Sequence, residues 1–130
     1  MLISKLYLED LLSIDKLHYK EVKIINDLHE LILKNKKKKI DKKLDELVLD
    51  VEHHFETEEK KMFEYKYPDA YKHQNVHECV LKKLYEVQSE WKKNKNKNTL
   101  KEYLEKQLSP WFKGHVMTMD KAACDFMVVN

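Results

Sequence analysis

The sequence predicts an all-α protein: an up-down-up-down antiparallel four-helix bundle with an N-terminal arm. Three observations carry this. The 130 residues include one glycine and two prolines, too few of the punctuators that strands and hairpins need. Apolar residues recur at three- and four-residue spacings over four segments, the period of a helix face. Short polar breaks separate the segments, and short connections make neighbouring helices antiparallel. A chain of this length supports one domain with one core.

The elements follow in order. Residues 1–14 form an apolar-rich arm (Leu2, Leu6, Leu8, Leu11, Leu12, Ile14), expected to pack across the bundle, and residues 15–130 form the helical domain. Asp15 is an N-cap candidate for the first helix. That helix carries Val22, Ile25, Leu28 (or His29) and Ile32 on one face, which extends backwards to His18. A lysine-rich break at 34–43 follows. The second helix is expected from about Ile40 to Glu64, with the seam Ile40, Leu44, Leu47, Val51, His54, Glu58, Met62. Tyr67-Pro68 ends it and opens the third, because proline suits a first turn and disfavours helix in the residue before it. The third seam is His73, His77, Val80, Leu84, Val87, Trp91, with Val76 beside it. A second lysine and asparagine break spans 92–98, and Thr99 with Glu102 reads as a capping box. The fourth seam is Leu100, Leu104, Leu108, Trp111, His115, Met119, Ala122, Phe126, with a kink expected at Pro110.

Composition narrows the function. Charges nearly balance at a formal +2, and every cationic side chain is lysine. Lysine lacks the bidentate fork of arginine, which argues against nucleic acid as a partner. Cys79 and Cys124 are too few for a disulfide framework and lack metal spacing; two buried thiols in a reducing cytoplasm are expected. The start, Met1 to Lys5, does not read as a signal peptide, and no stretch reaches the ~18 apolar residues of a membrane span. The expectation is a soluble, cytoplasmic protein.

The seams then break their own rule. His18, His54, Glu58, His73, His77 and His115 fall in register with leucines, where an unpaired imidazole or carboxylate is expensive to desolvate. In the predicted topology the two lysine-rich breaks share one end. His18, the His54/Glu58 pair, the His73/His77 pair and the His115/Asp120 pair all lie roughly 15–20 residues from it, about 23–30 Å at the helical rise. Four independent segments thus place polar core residues in one layer. Five imidazoles and two carboxylates exceed what one zinc needs and suit two transition-metal ions bridged by the carboxylates. His54/Glu58 and His73/His77 are i,i+4 pairs on one face. His115 and Asp120 are i,i+5, about 140° apart on an ideal helix, so that pair requires a π-type widening or a tilted approach. Gly114 beside His115 suggests close packing there.

These residues resemble the hemerythrin family, in its bacterial single-domain form. The matching residues are Ile14-Asp15-Lys16-Leu17-His18, then His54-Phe55-x-x-Glu58-Glu59-x-x-Met62. Tyr67-Pro68 with His73 and His77 follows, then Trp111-Phe112-x-x-His115 and Asp120. The resemblance spans residues 14–123 and implies a non-haem di-iron centre that binds O2 reversibly for carriage, storage or delivery. It implies one iron on His73, His77 and His115, and another on His18 and His54 with an open position. Glu58 and Asp120 would bridge, with an oxo or hydroxo group between the irons. Imidazole-rich ligation stabilises high-valent iron less than carboxylate-rich ligation does, which fits binding rather than catalysis. Trp111, Phe112 and Phe55 would keep the pocket dry.

Glu21 departs from the pattern, since hemerythrins usually carry an apolar residue one turn after the first histidine. It either turns out to solvent or a lysine, or approaches the two-histidine iron. The second placement would favour the ferric state and move function towards peroxide or nitric oxide chemistry; a sensor acting on a partner in trans is a further alternative. His29 is expected to be partly buried and hydrogen-bonded, His53 to lie at a helix flank, and Met62 and Met119 to fill core. The lysine-rich end reads as a solvated face opposing the helix C-terminal dipoles.

Overall fold

The computed structural model describes residues 2–3 and 16–129. Its helices are α1 (Lys16–Leu33), α2 (Lys37–Glu64), α3 (Ala70–Asn94) and α4 (97–129). Helix α4 runs through Lys97–Tyr103, a π-helical turn Leu104–Leu108, Ser109–His115, a second π-helical turn Val116–Asp120, and Lys121–Val129. The backbone stays right-handed helical at each join, so α4 is one helix. Each helix packs on the next and α4 returns to α1, which is the four-helix bundle the periodicity predicts. No strand occurs among the described residues, and none of their helices is long and apolar enough to cross a membrane.

The apolar seams meet in one core. Ile25, Leu28, Ile40, Leu44, Leu47 and Leu84 are fully buried, and Trp91 nearly so. Each such side chain contributes about 1.5–3 kcal/mol on leaving water. A smaller cluster of Met62, Ala70 and Ala123, with Phe63 and Tyr67 against it, closes the other end.

With one glycine in the chain, helix ends rely on other residues to enter the left-handed region. Asn35 and Lys66 do so at φ 60° and 55°. After α1, Lys36 N–H donates to Leu31 O and Asn35 N–H to Ile32 O. After α2, Tyr67 N–H donates to Met62 O and Lys66 N–H to Phe63 O. Both are Schellman endings, and Tyr67 packs beside Met62 as that motif favours.

Several local expectations are corrected. Helix α2 begins at Lys37 rather than Ile40. Pro68 lies in the turn before α3, whose N-cap is Asp69, instead of in its first turn. Asn96, not Thr99, caps α4: its side chain accepts from Thr99 N–H at 3.2 Å. Helix α4 does continue through Pro110 as expected; the turn before it is π-widened, and Ser109 N–H reaches back five residues to Leu104 O. Each wide turn shifts the helix phase, so Ala123 is buried where the unbroken seam puts Ala122, which is exposed. Gly114 is exposed, and a Cβ there would meet nothing within 4 Å, so close packing does not require it. Cys79 is exposed rather than buried, while the Cys124 side chain lies outside the described residues.

The expected arm also lies outside the described residues, apart from Leu2 and Ile3. Ile3 is fully buried in the main core. Asn26 of α1 holds it from both sides: Ile3 N–H donates to Asn26 Oδ1 at 2.8 Å and Asn26 Nδ2 donates to Ile3 O at 3.1 Å.

Candidate metal centre

Four helices deliver the polar layer. α1 supplies His18, α2 supplies His54 and Glu58, α3 supplies His73 and His77, and α4 supplies His115 and Asp120. The i,i+4 pairs follow from the helical period. The His115/Asp120 pair follows from the second π-helical turn, where Lys121 N–H reaches back to Val116 O. That widening rotates Asp120 onto the face of His115, and their Nε2 and Oδ1 atoms stand 2.8 Å apart.

The donor atoms form two groups, each lying within 4.8 Å of one another: Glu58, His73, His77, His115 and Asp120 in one, and His18, His54, Glu58 and Asp120 in the other. Glu58 and Asp120 belong to both. Glu58 turns Oε1 to His73 Nε2 at 2.7 Å and His77 Nε2 at 3.5 Å, and Oε2 to His54 Nε2 at 3.2 Å. Asp120 turns Oδ1 to His73 and His115 Nε2 at 2.7 and 2.8 Å, and Oδ2 to His18 Nε2 at 2.8 Å. Each carboxylate therefore offers one oxygen to each group, which is how a carboxylate spans two cations. The histidines all use Nε2.

The layer is dry. All five histidines are at most 5 % exposed. Phe55 stacks on His77 at 3.8 Å between ring centroids, Trp111 stacks on His115 at 4.5 Å, and Phe112 meets His18 edge-on at 6.0 Å. Burial alone lowers an imidazole's pKa, yet the shifts of His54, His73 and His77 diverge. Burial opposes the charge on His54, but Glu21 and then Glu58 outweigh it and hold its pKa well above the usual value. Burial opposes His73 too, but hydrogen bonds to Asp120 and Glu58 raise it to about 9. Burial, with the neighbouring His73 and His115, pushes His77 down to about 2. Burial also disfavours the Asp120 anion, but His115, His18 and His73 override it and hold the carboxyl far below its usual range.

The donors fit a pair of cations. His73 Nε2 stands 2.7 Å from both Glu58 Oε1 and Asp120 Oδ1, and one ring N–H cannot serve both oxygens fully. His73 and His115 Nε2 approach to 2.8 Å, so two lone pairs converge there unless a proton or a cation lies between them. Cations within the two groups would satisfy these atoms together. Three imidazoles and two carboxylates on one side, and two imidazoles with the same carboxylates on the other, leave the second side one donor short.

Sequence reasoning named all seven residues of this layer. It missed the place of Glu21, which is neither turned out to solvent or lysine nor aimed into the layer. It is 1 % exposed, and its Oε2 accepts from His54 Nδ1, the ring nitrogen facing away from the layer. Tyr103, buried nearby, is pushed up in pKa by burial and by the charge of Glu21. His29 pairs with Glu105 at 2.7 Å as a partly buried, hydrogen-bonded histidine, and His53 is exposed.

A four-helix bundle with a buried double cluster of histidines that shares two carboxylates defines a metal-binding helical protein. The chain belongs to the hemerythrin family: the model of the Hemerythrin HHE cation binding domain matches residues 12–123. It is 35 % identical over 109 residues to a bacteriohemerythrin of Aquifex aeolicus (strain VF5), covering 84 % of this chain and 83 % of that one. It is 28 % identical over 112 residues to a bacteriohemerythrin of Stenotrophomonas maltophilia (strain R551-3), covering 86 % and 71 %. No solved structure matches the chain.

Proposed function

We propose that this chain binds O2 reversibly at a di-iron centre, for carriage, storage or delivery in the bacterial cytoplasm. The observation that carries this is the division of Glu58 and Asp120, one oxygen to each donor group. His73, His77 and His115 would hold one ion and His18 and His54 the other, with both carboxylates spanning them. An iron pair, when bound, supplies reversible electron donation to O2.

The residues do the rest. The two-histidine side has fewer protein donors, and a metal site that binds an external ligand keeps such a position open. Phe112 meets His18 and Phe55 meets His54, which keeps water from the ligand side. A water-poor pocket slows proton delivery to bound ligand and so favours release over irreversible reduction. The peroxide or nitric oxide alternative needs Glu21 at the open side, and Glu21 lies behind His54 instead. The exposed free thiol of Cys79 suits a reducing compartment.

The test is direct. Iron per chain is measured, the protein is reduced anaerobically, and O2 is added and withdrawn while the near-ultraviolet and visible bands are followed. Two irons per chain and bands that come and go with O2 are expected. Zinc, no metal, or a single irreversible oxidation would overturn the reading.

A further inference from the structure

A carboxylate that is 1 % exposed requires compensation, and Glu21 finds it in one place. Its Oε2 meets Nδ1 of His54 across the α1–α2 contact, while its Oε1 is buried without a hydrogen-bond partner. His54 Nε2 faces Glu58 Oε2 at 3.2 Å on the opposite edge of the ring. The two nitrogens are thus divided: one for Glu21, one for the donor layer. Other imidazoles of the layer are built differently. The Nδ1 atoms of His73 and His115 are buried without a hydrogen-bond partner among the described residues, and His77 Nδ1 has Glu59 Oε1 at 3.7 Å, beyond hydrogen-bond reach.

We propose that Glu21 is a positioning residue: it locks His54 with Nε2 towards the metal and, through its buried charge, makes the two-histidine ion the more readily oxidised of the pair. This rests on the di-iron reading above. A carboxylate bonded to the rear N–H of a ligating imidazole fixes ring and tautomer and raises ligand basicity. In a water-poor interior its charge is weakly screened, so it acts on the ion through the ring. A more basic ligand with a negative charge behind it favours the ferric over the ferrous state. The same iron is the one short of a protein donor, so Glu21 sets electron donation where an external ligand would bind. An apolar residue at position 21 would leave His54 without this support.

The test compares wild type, Glu21→Gln and Glu21→Leu. The amide can still accept from Nδ1 but carries no charge; leucine does neither. In iron-loaded protein, spectroelectrochemistry should show Glu21→Gln shifting the ferrous-to-ferric ratio at fixed potential about tenfold towards ferrous, a midpoint rise of ~59 mV for one electron. Glu21→Leu should shift it at least as far. In zinc-loaded protein, nitrogen-resolved NMR should show a slowly exchanging His54 Nδ1 proton in wild type and Glu21→Gln, lost in Glu21→Leu. Zinc affinity should fall about 10–100-fold in Glu21→Leu. A ferrous-to-ferric ratio within twofold of wild type in both variants overturns the redox half of the proposal, and an Nδ1 proton that persists unchanged in Glu21→Leu overturns the locking half. If Glu21→Leu fails to fold, Glu21→Gln alone decides the charge effect. A wild-type chain that takes no iron overturns the di-iron reading and the redox half of the proposal; the zinc-loaded spectra still decide whether Glu21 locks His54.

Discussion

The two ends of the bundle are built from the same four seams and put them to opposite uses. At the lysine-rich end Ile40, Leu44, Leu84 and Leu100 close a dry apolar core, and the polar groups stay outside it. There Lys95 pairs with Asp41 at 2.6 Å and Lys92 with Asp45 at 2.9 Å, while Trp91 sends its indole N–H out to Asp41. At the other end the same register positions hold His18, His54, Glu58, His73, His77 and His115. Their polar atoms face inward, where ring nitrogens and carboxylate oxygens crowd within 4.8 Å of one another. The difference teaches where stability and function reside. One half lowers the free energy of folding by burying carbon; the other raises it unless cations compensate the donors. Metal is therefore expected to stabilise one half of the molecule and to leave the other nearly indifferent.

The sharpest way to break that contrast is to remove a shared donor. Glu58→Ala takes one oxygen from each group and leaves His54 and His73 facing an unpaired side. Removing one partner of a buried charged cluster costs about 3–5 kcal/mol. We expect less than one full iron pair per chain by metal analysis, and unfolding of the treated protein at markedly lower denaturant. Full iron content in this variant would show that Asp120 alone suffices as the shared group.

A similar loss in the other half should behave differently. Leu44→Ala opens a cavity in the apolar core and should cost about 2–5 kcal/mol. Iron content should stay at the wild-type value, and the cost should be the same with and without metal. A Leu44→Ala variant that loses iron would mean that the halves are coupled, and the contrast would fail.

Protons sharpen the comparison further. The carboxylates raise the pKa of His73 to about 9, so it is protonated at pH 7, and they raise that of His54 in the same direction. A proton on Nε2 must leave before that ring can ligate. Metal binding at pH 7 should therefore release protons, and apparent affinity should rise with pH until it levels off near 9. His77, lowered to about 2, is already neutral and contributes nothing to this release. Calorimetric titration with Zn2+ in buffers of different ionisation enthalpy measures the release; a buffer-independent heat would contradict it.

Legibility in the sequence also differs between the halves. Helix number, seams and the depth of the donor layer follow from a 3.6-residue period and loop positions, so all seven donors could be named. The i,i+5 spacing of His115 and Asp120 left a wide turn or a tilted approach open, and the wide turn is what forms. The first could not be phased from spacing, because wide turns displace every later residue; hence Ala123 rather than Ala122 faces the core. Glu21 was illegible for another reason. Its position on α1 was clear, but its partner depends on how far α1 is rotated against α2, which one helix's pattern does not encode. The cap at Asn96 was a competition between two good capping residues three positions apart, and the side chain nearer the break won.

Gly114 offers the smallest and most local test. It precedes His115 directly, so a functional need for glycine is the natural suspicion. Its φ is not positive, and a Cβ there meets nothing within 4 Å. Its carbonyl accepts from Thr118 Oγ1 at 2.6 Å, a contact that alanine would keep. What remains is glycine's entropy in the unfolded chain, so Gly114→Ala should stabilise the protein by about 0.5–1 kcal/mol, read as a raised denaturation midpoint. Iron content and spectra should not move. If they do, the backbone at 114 needs glycine's freedom to form the wide turn that brings Asp120 beside His115, and the donor half depends on its α4 backbone as well as its side chains.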